Sequence, residues 1–404
     1  MLFKFAFRNV FRQKRRTLLT VLTMFGGFTL AALSIGIADG TYAYIINMFT
    51  RNQLGHIQVH KDDYLDRPSL YKTIDSYEAV GREVSGIEGI EAWAPRLYSA
   101  GLVSVGEKSS TGRIIGIDPT LENKATSFDK KIIEGRGFSA EPAHEVIIGQ
   151  GLADVLKAET GDEIVIVSQA ADGSIANDLY NIVGITESGD DMTDRTAFYM
   201  HLADAQELLV LDGRVHELIV IIDDVDYVFE KTAAIKAILA DPTLSVKPWQ
   251  EFARSFYQAM QADLQGNWIM LLIINLIVAV GVLNTVLMTV LERTREYGVL
   301  RAMGTRPFMI FRLVITEVFI MVVVSIIIGV LLSVAVNSLL AYTGIPMPIK
   351  FDYGGMTFTR WYAEVNARSL YIPGITVFAV ALFVSVFPAA RAARIAPAGA
   401  MRMN

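Results

Sequence analysis

The chain has 404 residues, of which 52% are hydrophobic and only 19% charged, with a formal net charge of −6. That apolar content, with only 12 prolines, excludes a disordered chain, and the lack of any cysteine excludes a disulfide scaffold and Cys-based zinc, iron–sulfur or thiol chemistry. An acidic balance argues against a general nucleic-acid binder.

The charge is unevenly spread. A hydrocarbon core of about 30 Å needs about 20 apolar residues per helix, and a charge at a helix centre costs roughly 2.5–3.5 kcal/mol. From Thr17 to Thr50 the one charged residue is Asp39; from Gly266 to Leu291 there is none; from Leu313 to Ile349 there is Glu317 alone before Lys350; from Ser369 to Ala390 there is none. These gaps predict four membrane helices. In chain order the expected parts are a cytoplasmic segment at 1–16, a first helix with a stalk at 17–49, a large outer domain at 50–262, a stalk and second helix at 263–291, and a cytoplasmic segment at 292–312. A third helix at 313–341, a short outer loop at 342–370, a fourth helix at 371–390 and a cytoplasmic tail at 391–404 complete the chain. The first gap is too long for a signal-peptide apolar region of about 7–15 residues; its excess length predicts a stalk that puts Asp39 near or beyond the outer boundary.

Lys and Arg set the orientation. Lys4, Arg8, Arg12, Lys14, Arg15 and Arg16 precede the first helix, five arginines (Arg293, Arg295, Arg301, Arg306, Arg312) lie between the second and third, and Arg391, Arg394 and Arg402 follow the fourth. Residues 51–265 carry 19 basic and 36 acidic residues, whereas the rest carries 17 and 6. An acidic head over a basic cytoplasmic surface predicts an inner-membrane protein with both termini inside and the large domain in the periplasm. That domain reads as α+β: alternating runs such as His56–His60, Arg113–Ile117, Glu163–Val167 and Glu217–Ile222 predict strands, and Ser76–Val84, Leu202–Leu209 and Tyr227–Leu239 predict helices. Pro248–Gln265 reads as a helix running straight into the second membrane span.

The search for chemistry is short. His56 and His60 share a face of an alternating run and stand about 13 Å apart on a strand, too far for one metal, so they read as a solvated strand face. Asp190, Asp191 and Asp194 lack calcium-loop spacing and read as a solvated turn. There is no P-loop, no Gly-x-Ser-x-Gly elbow and no His-Glu-x-x-His, so the expectation is a non-catalytic subunit without metal or cofactor. Gly281 with Thr285 and Gly329 with Ser333 are small-x-x-x-small pairs suited to close helix packing. In Glu292–Pro307, Val299, Leu300 and Met303 form an apolar stripe with Arg295, Glu296 and Arg301 off it. Such a short amphipathic helix either anchors at the interface or fits a partner's groove, and spacing does not choose.

A resemblance does. Glu292, Arg293, Arg295, Glu296, Gly298, Arg301, Ala302 and Gly304 resemble the coupling-helix pattern of the FtsX-like ABC permease family, the group of MacB-, LolC- and LolE-type proteins. The start from Arg8 through Gln13 to Thr17, the segment from Glu134-Gly135-Arg136 to Gly161-Asp162, and the ending Pro388–Arg394 with Pro397 and Ala398 are similar to the same family, closest to lipoprotein-releasing permeases. The resemblance implies four membrane helices plus a periplasmic βαβ-type base (50–120 and 210–262) with an inserted β-rich lobe (121–209). It implies ATPase coupling through Glu292, Arg295, Glu296, Tyr297, Gly298, Val299, Leu300, Arg301, Met303 and Gly304. It also implies separate ABC ATPase subunits that bind ATP and Mg, a second permease chain (identical or a paralogue), membrane lipid, and a periplasmic carrier or lipoprotein substrate. The implied function is mechanotransmission: ATP hydrolysis in a partner drives periplasmic motion that extracts lipoproteins or another amphiphile. The alternative is a signalling subunit that activates a periplasmic cell-wall hydrolase.

Overall fold

The structure is a computed structural model that describes residues 2–12, 14–353 and 356–396; Gln13, Pro397, Ala398 and Arg402 lie outside the described residues, as do the side chains of Lys4, Phe11, Lys350 and Asp352. The helices in chain order are α1 (Leu2–Arg12), α2 (Lys14–Phe49), α3 (Tyr77–Ser85), α4 (Pro119–Thr126), α5 (Gln150–Leu156), α6 (Asp191–Asp194), α7 (Leu202–Leu209), α8 (Val228–Leu239), α9 (Trp249–Phe252), α10 (Arg254–Glu292), α11 (Thr294–Ala302), α12 (Pro307–Thr343) and α13 (Ala367–Ala393). The strands are β1 (Ile57–Lys61), β2 (Ile74–Asp75), β3 (Ile90–Val105), β4 (Lys108–Ile117), β5 (Ile132–Gly135), β6 (Glu145–Gly149), β7 (Glu163–Gln169), β8 (Ile175–Thr186), β9 (Ala197–His201), β10 (Arg214–Val215), β11 (Glu217–Ile222), β12 (Leu244–Pro248), β13 (Ile345–Tyr353) and β14 (Met356–Trp361). Two compact units result: a helical one from residues 1–43, 260–346 and 360–404, and a sheet unit from 44–259 and 347–359.

In the helical unit, α2, α10, α12 and α13 are each long and apolar enough to cross a membrane, with 36, 39, 37 and 27 residues. Their seam is filled by Met24, Phe28, Val278, Val282, Val286, Val314, Val318, Val322 and Val377, all buried. Lipid gives helices no hydrophobic reason to associate, so close van der Waals packing has to do it. The small residues supply that closeness within the chain: a Cβ on Gly281 would meet Thr23 at 2.5 Å, and one on Gly329 would meet Phe28 at 2.4 Å. The connection expected as a loop at 342–370 instead contains the two-stranded sheet β13–β14. Asp39 is engaged by residues at the start of α13, accepting from Asn366 Nδ2 at 3.0 Å and pairing with Arg368 at 3.7 Å.

The sheet unit is built on ten strands in the order β12-β1-β11-β3-β4-β9-β6-β8-β5, with β7 pairing β3 and β8. The β4–β9 and β6–β8 pairs are parallel and the other pairs of this sheet are antiparallel. Long-range register is fixed by residues far apart in sequence, such as Ile57 opposite Val220 and Leu97 opposite Gly116. Alternating positions fill the core with Ile115, Ile117, Phe128 and Ile147. Residues 121–209 contribute β5–β9 to this same sheet.

Three expectations are corrected here. His56 and His60 are not on a solvated face; both are buried, because β1 is covered on both sides. His56 Nδ1 accepts the Ile222 N–H at 3.0 Å, which fixes the neutral tautomer, and burial together with nearby Arg51 pushes its pKa down to about 4. His60 Nε2 meets Glu217 at 3.1 Å inside a buried network with Tyr98 and Arg96, and Arg96 also grips Glu122. The acidic turn is not wholly solvated either: Asp190 caps α6, and buried Asp194 accepts the Ser188 N–H. Finally, the helix expected to run unbroken through Pro248–Gln265 is interrupted at Ala253 (φ −102°, ψ 42°), between α9 and α10.

Candidate functional site

The site is α11 and the residues beneath it. The sequence makes a compact reversal between α10 and α12. Arg293 leaves helical geometry, and Thr294 Oγ1 donates back to Leu291 O at 2.7 Å. At the other end Gly304 takes φ +91°, a left-handed backbone open to glycine. Thr305 N–H closes on Leu300 O at 3.0 Å, and Pro307 starts α12 where its missing N–H costs nothing.

The buried side of α11 is held by charge. Arg293 Nη1 donates to both oxygens of Glu317 at 3.0 and 3.1 Å, and its Nε donates to Glu296 at 2.9 Å. Asn9 of α1 donates to Glu317 at 2.8 Å, and Arg12 lies 3.8 Å from Glu296. Arg16 pairs with Glu292 at the end of α10. The Arg293 and Glu317 side chains are only 11% and 9% exposed. Burial opposes the Arg293 charge most strongly, but Glu317, Tyr297 and Glu296 together more than offset it and hold the guanidinium above its ordinary range. The same guanidinium lies 5.4 Å from the centre of the Tyr297 ring, which is fully buried; burial and then Glu317 push that phenol above its ordinary value. A cavity of about 30 Å³ is lined by Asn9, Arg16, Thr20, Arg293, Tyr297 and Glu317.

The open side is different. Arg295, Glu296, Val299, Ala302, Met303, Gly304 and Arg306 are exposed, with Val299 at 42% and Met303 at 71%. The spacing 295, 299, 302, with Met303 at the helix end, puts a mixed apolar and basic surface on one face of α11, and exposed Arg306 follows in the reversal to α12. The apolar stripe expected from Val299, Leu300 and Met303 is therefore split: Leu300 packs inward against the helical core, and the other two face out. Gly298 is buried with Tyr297. Arg301 is half-buried and its Nη1 reaches Thr305 O at 3.5 Å. Glu292 and Glu296 are both held in ion pairs. Asn9, Arg293 and Glu317 lie outside the coupling set expected from the sequence, although Arg293 is part of the motif that carries the resemblance. Glu317 had a signal, as the one acid in an apolar span, since an intramembrane charge needs a partner; the partner could not be read. No group of three or more His, Asp or Glu suited to a metal occurs among the described residues.

Two family models match. The MacB-like periplasmic core domain covers residues 17–238, and the FtsX-like permease C-terminal domain covers 268–397, including all of α11. This chain belongs to the FtsX/MacB-like family of ABC-transporter permeases. The permease is 23% identical to the lipoprotein-releasing system transmembrane protein LolC of Neisseria meningitidis serogroup B, over 76% of this chain and 74% of the relative. It is 22% identical to LolE of Haemophilus influenzae over 90% and 92%, and 22% identical to the macrolide export ATP-binding/permease protein MacB of Marinobacter nauticus over 79% and 50%. Among solved structures, the periplasmic region of MacB from Actinobacillus actinomycetemcomitans is 14% identical with a TM-score of 0.37, covering 50% of this chain and 92% of that one. The FtsX-like permease thus combines four candidate membrane helices with an α+β domain of periplasmic type.

Proposed function

We propose that this permease passes the ATP-driven motion of a separate ABC ATPase to its periplasmic domain, and that the motion releases lipoproteins or a similar amphiphile from the inner membrane. The observation that carries the reading is the two-sided character of α11. A helix whose inner face is clamped by a buried ion pair moves with the membrane helices it joins, while an outer face of Val299, Ala302 and Met303 ringed by Arg295 and Arg306 suits a partner's groove. The Lys and Arg flanking the spans support a reading with α11 and both termini in the cytoplasm, under the positive-inside rule. The lipoprotein substrate rests on the names of relatives that match over 74% and 92% of their own length. A second permease chain completes the unit.

The test is co-expression of the full chain with an ABC ATPase subunit of the same organism. Val299→Asp with Met303→Asp places charge on the exposed face without touching the clamp. The variant should run as a folded protein in detergent yet lose most ATPase copurification and at least ten-fold of the lipoprotein-stimulated ATP hydrolysis in proteoliposomes. Full retention of both would overturn the coupling assignment. Stimulation by a cell-wall hydrolase in place of lipoprotein would overturn the substrate assignment alone.

A further inference from the structure

We infer that the end of α13 forms a binding site for an anionic phospholipid, with Arg391 and Arg394 holding the headgroup phosphate. A groove of roughly 960 Å³ lies between α10 and α13, lined by Leu283, Phe383, Phe387, Arg391, Arg394 and Ile395. Phe383, Phe387 and Arg391 follow at intervals of four residues, so they stand above one another on one helix face. Phe383 is 80% exposed and Phe387 60%. At about 1.5 Å per residue, Arg391 lies roughly 12 Å beyond Phe383 along the axis. The groove therefore changes from aromatic to cationic over the length of half an acyl chain.

Among the described residues the arginines have no anion of their own. The carboxylates at this end of the helical unit are already taken: Glu292 by Arg16, and Glu296 and Glu317 by Arg293. Neither Arg391 nor Arg394 makes an ion pair or a side-chain hydrogen bond among the described residues. With 27 residues, α13 is about 40 Å long and outruns a hydrocarbon core of about 30 Å, which puts its last turn at headgroup level. A soluble acidic surface could reach the arginines but not the phenyl rings below them. A ligand that satisfies both has an anionic head and an apolar tail. The inference needs α13 to span a bilayer but not any particular direction of crossing, so it stands apart from the coupling role of α11.

The test uses the full chain in phosphatidylcholine nanodiscs, with Phe387→Trp as a reporter and the parent chain's emission subtracted. Phosphatidylglycerol or phosphatidylcholine carrying brominated acyl chains is added at equal mole fraction. A headgroup attraction of about 1 kcal/mol per arginine corresponds to roughly five-fold per side chain. The expected result is quenching by brominated phosphatidylglycerol at least five-fold more effective than by brominated phosphatidylcholine. The preference should fall below two-fold in Arg391→Gln with Arg394→Gln, survive in Arg391→Lys with Arg394→Lys, and be unchanged in Arg15→Gln. Equal quenching by the two lipids, a preference that persists in the double glutamine variant, or protection of the reporter from both lipids, as a second protein chain in the groove would give, each overturns the site.

Discussion

At the residue scale the clamp beneath α11 is the feature with the most at stake. A buried ion pair gains little over an apolar pair of the same shape, but removing one partner strands the other charge and costs about 3–5 kcal/mol. Arg293 and Glu317 meet that description, with two donor contacts near 3 Å and side chains about one-tenth exposed. Arg293→Ala and Glu317→Ala should each lower the thermal midpoint of the detergent-solubilised chain by the equivalent of roughly 3 kcal/mol, and the double variant should cost about the same as either alone. The double-mutant cycle is the measurement. Additive losses would mean that the two side chains do not act as a pair. Arg293→Lys should lose most of the coupling as well, since an ammonium cannot present one fork to Glu317 and another donor to Glu296.

At the scale of elements, α2 and the segment leading into α13 show how closely backbones approach in the helical unit. Glu364 N–H donates to Gly36 O at 2.8 Å, and Thr41 Oγ1 donates to Tyr362 O at 3.0 Å. A Cβ on Gly40 would lie 2.4 Å from the Ala363 carbonyl carbon, whereas one on Gly26 of the same helix would meet nothing within 4 Å. Backbone cannot rotate aside as a side chain can. Gly40→Ala should therefore cost about 1–3 kcal/mol as overpacking, while Gly26→Ala should be neutral or stabilise by up to about 1 kcal/mol; thermal unfolding of the two variants side by side checks this. Elements of this kind differ in how far the sequence exposes them. The membrane helices are legible because lipid tolerates so little charge that their absence writes the spans directly. The sheet order is not, because Ile57 finds Val220 only through tertiary pairing. The burial of His56 and His60 is hidden for a related reason: alternation reports exposure only where one face of a strand is wet, and β1 and β11 are buried along almost their whole length. In the candidate site the exposed arginines, Val299 and Met303 could be read from composition. The Arg293–Glu317 pair could not, because the reversal through Gly304 and Pro307 brings together residues 24 apart.

For the whole molecule, the governing asymmetry is electrostatic. Residues 51–265 carry a balance of −17 while the remaining residues carry +11. Because positive charge is retained on the cytoplasmic side, this split supports the proposed orientation, in which residues 51–265 face the periplasm and the basic segments at α1, α11 and the end of α13 face the cytoplasm. The chain is suited to a direct check, since it contains no cysteine and any introduced thiol is the only one. Glu107 stands exposed in the β3–β4 turn of the sheet unit, and Met303 is 71% exposed on α11. Glu107→Cys should react with a membrane-impermeant maleimide on intact spheroplasts, and Met303→Cys only after lysis. With the ATPase co-expressed, Met303→Cys should become protected in the lysate, because ATP is available on the cytoplasmic side alone and the engine must seat on that face. The opposite labelling pattern would put the basic loop outside and leave an ATPase nothing to push against, so the proposed coupling role of α11 depends on this orientation as directly as on the clamp beneath it.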